Sequence, residues 1–181
     1  VVLAALTTTA IAGASSKDGS LSVVAYSTPK TVYGKIIQAW QQTADGKGTS
    51  FTQSYAASTD QARAVAAGLK ADLVFLSTGD DVNILVDAGL IDKNWDKQSY
   101  NGVVWNSVNV FALRDGNPKK IKAWNDLVRP GVQVVTVNPF TGGIAKWNIL
   151  ASYVAQRMTR KTEKQSIAWL QKFYKNNVVS Q

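Results

Sequence analysis

Between Leu21 and Ala88 the chain passes three times from a strand-forming run into a helical pattern, and nothing else in it constrains the fold as much. Leu21-Ser22-Val23-Val24-Ala25-Tyr26 stops at Ser27-Thr28-Pro29, where Thr28 can cap a helix and Pro29 can take its first position. The helix that follows sets Val32, Tyr33, Ile36, Ile37 and Trp40 on one face and ends at Asp45-Gly46-Lys47-Gly48. A second strand, residues 49–55, leads to Ser58-Thr59-Asp60-Gln61, which has capping-box spacing, and then to an alanine-rich helix through Leu69. The third strand, residues 72–76, is apolar enough to be buried on both faces and precedes a short helix over 82–88. Strands that alternate with crossover helices in this way imply a parallel sheet.

The second half repeats the theme less regularly. Residues 89–101 read as loop, 103–113 as β-like, Asn117-Pro118 as a turn, 124–128 as a short helical segment and 132–137 as a buried strand. That strand breaks at Asn138-Pro139 and restarts as a helix after Thr141-Gly142-Gly143. Such a turn leaves backbone N–H groups pointing into one spot with a helix dipole behind them, which is an anion site in outline. The helix from Ile144 carries Trp147, Leu150, Ala151 and Val154 at core spacing, and a last helix over 163–174 precedes Val178-Val179, the start of another strand. The expectation is two α/β units, residues 20–103 and an incomplete 104–181, behind an N-terminal stretch of residues 1–19.

That stretch begins with fourteen apolar, uncharged residues, too few to span a bilayer. With Ala10-Ile11-Ala12 as an A-x-A-like cleavage site they read as a signal-peptide remnant, which sets the protein in the periplasm, in secretion or on the cell surface. The chain of 181 residues is 45% hydrophobic and can bury a real core. It has no Cys and no His, which removes thiolate nucleophiles, imidazole bases, Cys/His zinc sites and disulfides together. Its acids are eleven Asp and Glu163, with no pair set on a shared face, so neither a metal, a cofactor nor catalysis is expected. The net charge of +8 suits an anionic partner. Lys and Arg are spread along the chain, with modest clusters at Lys119, Lys120, Lys122 and at Arg157, Arg160, Lys161, Lys164. There is no long basic run or RNA-binding signature, and no nucleic acid is expected as partner.

In open α/β sheets ligands bind beyond the carboxyl ends of the strands. Three such ends carry small or hydroxyl residues: Ser27-Thr28, Ala56-Ala57-Ser58-Thr59 and Thr141-Gly142-Gly143. Each also has a blander reading: Ser58 with Gln61 as a helix cap, Gly142-Gly143 as mere freedom to turn. Asp80-Asp81 reads as a cap for the helix from Val82, Trp40 and Trp147 as packing, Lys146 as solvated, and Trp95 and Trp105 as lining a cleft or a junction. No Gly-Lys-Ser/Thr closes either glycine turn, so a nucleoside triphosphate is not expected.

Six segments, in order, carry a family resemblance: Ala25-Tyr26-Ser27-Thr28-Pro29-Lys30, Ser58-Thr59-Asp60-Gln61-Ala62-Arg63, Gly68-Leu69-Lys70-Ala71-Asp72, Gly89-Leu90-Ile91, Asn125-Asp126-Leu127-Val128-Arg129-Pro130-Gly131-Val132, and residues 138–148. From about residue 21 onward the chain resembles the periplasmic sulfate-binding proteins of ABC importers. The resemblance implies an α/β, type II periplasmic-binding-protein-like fold of two lobes with parallel-rich sheets, the second lobe incomplete. It implies a monomer that closes on sulfate or thiosulfate through neutral N–H and O–H donors at helix N-termini and delivers it to a membrane permease. By position, Ser58 matches the family's serine at the second helix, and Ser27, next to Thr28, falls where many members have an Asp whose N–H contributes. Anchored on Trp147, the family's Ser-Gly-Gly falls on Gly142, Gly143 and Ile144. Anchored on the local pattern it falls on Thr141-Gly142-Gly143, the register preferred for the hydroxyl. Another oxyanion, phosphate or molybdate, is the alternative ligand. A transferase on the same fold, with Lys146 or an Asp as base, is the alternative class.

Overall fold

The computed structural model describes residues 19–180, and the stretch read as a signal-peptide remnant lies outside the described residues. β1 (Ser20–Tyr26) is the middle strand of a parallel three-stranded sheet, between β2 (Ser50–Ala56) and β3 (Leu73–Phe75). Successive side chains of a strand point to opposite faces, and both faces of β1 are covered. Val23 and Ala25 pack with Tyr33 and Ile37 of α1 (Lys30–Gln41). Val24 packs on the other side with Val65 of α2 (Ser58–Ala66) and Leu85 of α3 (Gly79–Asp87). This is the doubly covered parallel sheet that the alternation predicts.

The boundaries differ in informative ways. α1 begins at Lys30, with Pro29 as its cap residue and no side-chain cap bond, so Thr28 does not cap it. Only Tyr33 and Ile37 of its apolar arc are buried, whereas Val32, Ile36 and Trp40 are exposed. The arc is wider than the stripe one sheet face can cover. α3 starts at Gly79, three residues before the expected Val82, because Thr78 caps it by accepting from the Asp81 N–H at 3.3 Å.

The second unit is built around Ile121, Leu127, Val132, Trp169 and Phe173, the last two on α5 (Glu163–Asn176). Thr162 and Gln165 close a capping box at the start of α5. The strand expected over 132–137 is only β4 (Val134–Val135), paired in parallel with β5 (Val178–Ser180). Residues 103–113, read as β-like, pair in no ladder among the described residues. Their β-prone side chains find neighbours but their backbone finds no partner strand: Trp105 sits on Tyr33 at 5.3 Å between ring centres, and Phe111 meets Trp124 edge-on at 4.9 Å. α4 (Gly143–Met158) packs on α5, but not through the face its periodicity suggests. Ala145, Ser152 and Gln156 are buried, whereas Trp147 is 48% exposed and Leu150 and Val154 are similarly open. The reading of Trp40 and Trp147 as core residues is therefore corrected.

Candidate functional site

The register of the first sheet gathers three strand ends on one edge. Tyr26 lies beside Ala56 and Ala25 beside Phe75, so the segments that follow, Ser27-Thr28, Ala57-Ser58 and Leu76-Ser77, leave the sheet side by side. α2 and α3 start from the second and third of these. α4 enters from the second unit: the Thr59 N–H donates to the Thr141 carbonyl at 3.2 Å, and the Arg63 guanidinium donates to the Phe140 carbonyl at 3.3 Å.

At the centre lies Asp81, whose side chain is 0% exposed. The Ser58 hydroxyl donates to its Oδ2 at 2.7 Å and the Thr59 hydroxyl to its Oδ1 at 2.8 Å. The Lys146 ammonium, one turn into α4, lies 3.5 Å from Asp81 Oδ1 and 3.5 Å from Asp80 Oδ2. The carboxylate thus ties the starts of α2, α3 and α4 together, in the positive end of their dipoles. Reading Asp81 as a simple cap, and Lys146 as a solvated lysine, misses this knot. Asp81 does meet the Thr78 hydroxyl through its N–H, but its side chain faces the other two helices.

Ser58 is not the cap of α2 either. Ala57 is the cap residue and no capping side-chain bond forms, while Gln61 turns to Ser54 at 3.0 Å. The Ser58 oxygen accepts the Ser77 N–H at 2.9 Å while its proton goes to Asp81. The Ser77 hydroxyl is buried without a partner. A third Ser-Thr pair after a strand, Ser77-Thr78, echoes Ser27-Thr28 in the sequence and was the available signal for it.

The glycines answer a need for space, not for freedom to turn. Neither Gly142 nor Gly143 has positive φ. A Cβ on Gly142 would strike Val137, and one on Gly143 would strike Asp81 Oδ2 and the Ser77 hydroxyl. With Gly142 as cap residue, the first N–H groups of α4 belong to Gly143 and Ile144 and have no acceptor within the helix. Thr141 engages α2 through its carbonyl, and among the described residues its hydroxyl has no hydrogen-bond partner. Ser58, Thr141, Gly142, Gly143 and Ile144 are thus brought to one place. Ser27 and Thr28 lie on the same sheet edge but are exposed, and among the described residues no hydrogen bond joins them to the Asp81 knot.

Aromatic groups border the site. The Trp147 indole donates to the Ser77 carbonyl at 3.3 Å, and Trp95 lies 3.5 Å from where a Cβ on Gly79 would sit. Trp105 donates to the Tyr26 hydroxyl at 3.0 Å. Burial, reinforced by Tyr26 and Tyr55, pushes the Tyr33 phenol well above its usual range. Among the described residues no group of three or more acids could hold a metal, and no helix is long and apolar enough to cross a membrane. A cavity of about 730 Å³ lies elsewhere, beside β4, floored by Phe111, Ile121, Trp124, Val134 and Phe173. Arg114, Asn117, Lys119, Thr136 and Asn148 also line it, and it does not include the Asp81 knot.

Residues 21–181 match the family model of the bacterial extracellular solute-binding proteins. The chain belongs to this family. It is 38% identical over 169 residues to a sulfate-binding protein of Synechococcus elongatus, covering 91% of this chain and 48% of that one. It is 40% identical over 143 residues to a sulfate-binding protein of Escherichia coli, covering 76% and 43%. A thiosulfate-binding protein of Pseudomonas aeruginosa is 34% identical over 149 residues, covering 80% and 45%. The solved sulfate-binding protein SubI of Mycobacterium tuberculosis superimposes with a TM-score of 0.84 at 39% identity, over 88% of this chain and 56% of that one. The chain therefore spans about half the length of these relatives and shares their type II periplasmic-binding fold in part. The family is one of extracellular proteins that bind solutes.

Proposed function

We propose that this chain is the ligand-capturing part of a receptor for sulfate or thiosulfate, which hands its ligand to an ABC permease and works as a monomer. The observation that carries this reading is the meeting of three helix starts at one spot whose cations are already paired. Lys146 is matched by Asp80 and Asp81, so an arriving dianion is met by N–H dipoles and hydroxyls and not by a free charge. The donors we assign are the N–H groups of Ser58, Gly143 and Ile144, with Gly142 and Thr141 shaping the turn, and Ser27 and Thr28 on the adjoining strand end. The Ser58 hydroxyl, held by Asp81, positions the α2 start unless the ligand draws its proton away. The Gly142 cap favours the register in which the family's serine falls on Gly142, so the hydroxyl there is absent and the backbone carries the contact.

The names of the sulfate- and thiosulfate-binding relatives support the choice of ligand. The test is a calorimetric titration of sulfate, thiosulfate, phosphate and molybdate into the chain and into a form extended to the length of those relatives. Sulfate or thiosulfate should bind most tightly to the extended form, and Ser58→Ala should weaken that binding about 10-fold, because the hydroxyl that joins Asp81 to the Ser77 N–H holds the start of α2, and with it the Ser58 N–H, in place. Equal affinity for all four anions, or no effect of Ser58→Ala, would sink the assignment.

A further inference from the structure

We propose that the second unit carries a docking face for anionic phospholipid headgroups, separate from the oxyanion site. Charge is divided very unequally along the chain: residues 20–103 hold seven Lys and Arg against eight Asp, and residues 104–181 hold twelve against three acids. The structure draws much of that excess onto one border around the short 3₁₀ helix Trp124–Val128. On one side of it the Arg129 guanidinium donates to the backbone carbonyls of Lys119 and Lys120, fixing that loop. On the other side Lys161 reaches Asn125 Oδ1 at 3.4 Å, and Arg157 donates to the Lys161 carbonyl at 2.9 Å. Arg157 and Lys161 near the C-terminal end of α4 complement its dipole. Among the described residues the ammonium groups of Lys119, Lys120 and Lys122 make no hydrogen bond or ion pair, and Lys119 also borders the cavity beside β4. The acids nearby are Asp115, Glu163 and Asp126, and Asp126 already pairs with Arg129 at 3.8 Å and accepts two backbone N–H bonds.

This border is not the mouth of the oxyanion site. α4 has sixteen residues, so at about 1.5 Å each its two ends stand about 24 Å apart, with the helix starts at one end and Arg157 and Lys161 at the other. The chemistry of the border fits a diffuse anionic surface. Its outward charges are lysine ammonium groups on flexible stems, and the nearby Arg129 fork is spent on the backbone. Trp124, Trp169 and Phe173 turn into the core and leave no rings there to stack bases. A receptor that hands its ligand to a permease, as proposed above, works beside a membrane surface, where each Lys or Arg near anionic headgroups strengthens binding about fivefold.

The test is co-sedimentation of the 181-residue chain with vesicles of phosphatidylcholine alone and with 30% phosphatidylglycerol. It compares the chain with Lys119→Glu/Lys120→Glu/Lys122→Glu and with Lys47→Glu/Lys70→Glu/Lys93→Glu, which changes net charge equally on the first unit. All three share the same N-terminus, and circular dichroism checks their folding. The unaltered chain and the first-unit variant should bind the anionic vesicles, more weakly in high salt, while the second-unit variant loses about 100-fold. Equal binding by both variants, or equal binding to the two vesicle types, overturns the proposal. So does tighter binding to polyglutamate or duplex DNA than to anionic vesicles at matched charge, which would assign the face to a macromolecular polyanion. Anion affinity in the titration above should be unaffected by the second-unit variant, so the two proposals fail separately.

Discussion

At Gly143 a single hydrogen in place of a methyl lets α4 come down on Asp81 and Ser77. Gly143→Ala should therefore destabilise the protein by about 1–3 kcal/mol in urea denaturation, despite the better helix propensity of alanine, because the carboxylate it meets is fixed by two other bonds. Asp81 is the other decisive residue. Removing it leaves Ser58, Thr59 and Lys146 facing a void. Asp81→Ala should cost about 2–3 kcal/mol, below the usual value for breaking a buried pair because Lys146 remains partly hydrated. Asp81→Asn keeps the shape and one acceptor but turns its NH2 group to one of the two hydroxyls, and should fall between. Stabilities of the two variants that equal the unaltered chain would mean the knot does not hold the three helix starts together. Neither residue could be ranked from sequence: a glycine's missing neighbour and a carboxylate's burial are properties of segments about sixty residues apart in the chain.

At the scale of elements, the ends of helices and strands are set by local chemistry that can be checked one group at a time. Thr162→Ala should remove the capping box of α5 and cost about 1 kcal/mol by thermal or urea unfolding. The 3₁₀ helix at Trp124 is held by Asp126, whose carboxyl lies below its usual range because the Lys122 and Ala123 N–H groups donate to it. A lowered folded-state pKa means stability that is present above the unfolded value and is lost as pH falls through the folded one. The difference in urea midpoint between the chain and Asp126→Asn should therefore be full near neutrality and vanish in acid. A gap that persists at low pH would remove the carboxylate from the cap. On α4, Leu150→Gln should change stability by less than about 0.5 kcal/mol, since that face is open.

At the scale of the molecule, the two small parallel sheets among the described residues are joined by segments that rely on side-chain packing more than on ladders. The charge is equally uneven, with the positive excess on the second unit. Like charges there repel and salt screens them. Raising sodium chloride from about 10 to 150 mM should raise the melting temperature. A melting point that falls with salt would mean that the ion pairs at Lys146 and Arg129 outweigh that repulsion.

The sequence alone determined the first sheet and its parallel pairing, because each depends on periodicity and turn chemistry within a dozen residues. The six ordered segments determined the family in the same way. Only the tertiary structure decided which apolar faces are covered. Tyr33 and Ile37 are buried but Ile36 and Trp40 are not, because a sheet covers one stripe of a helix and the sequence does not say where that stripe lies. It also decided that residues 103–113 pair with no strand among the described residues, since a ladder needs a partner backbone as well as β-prone residues. Last, it turned Asp81 from a helix-start acid into the anchor of three helices, an outcome fixed by where distant segments meet and not by the neighbours of Asp81 in the chain.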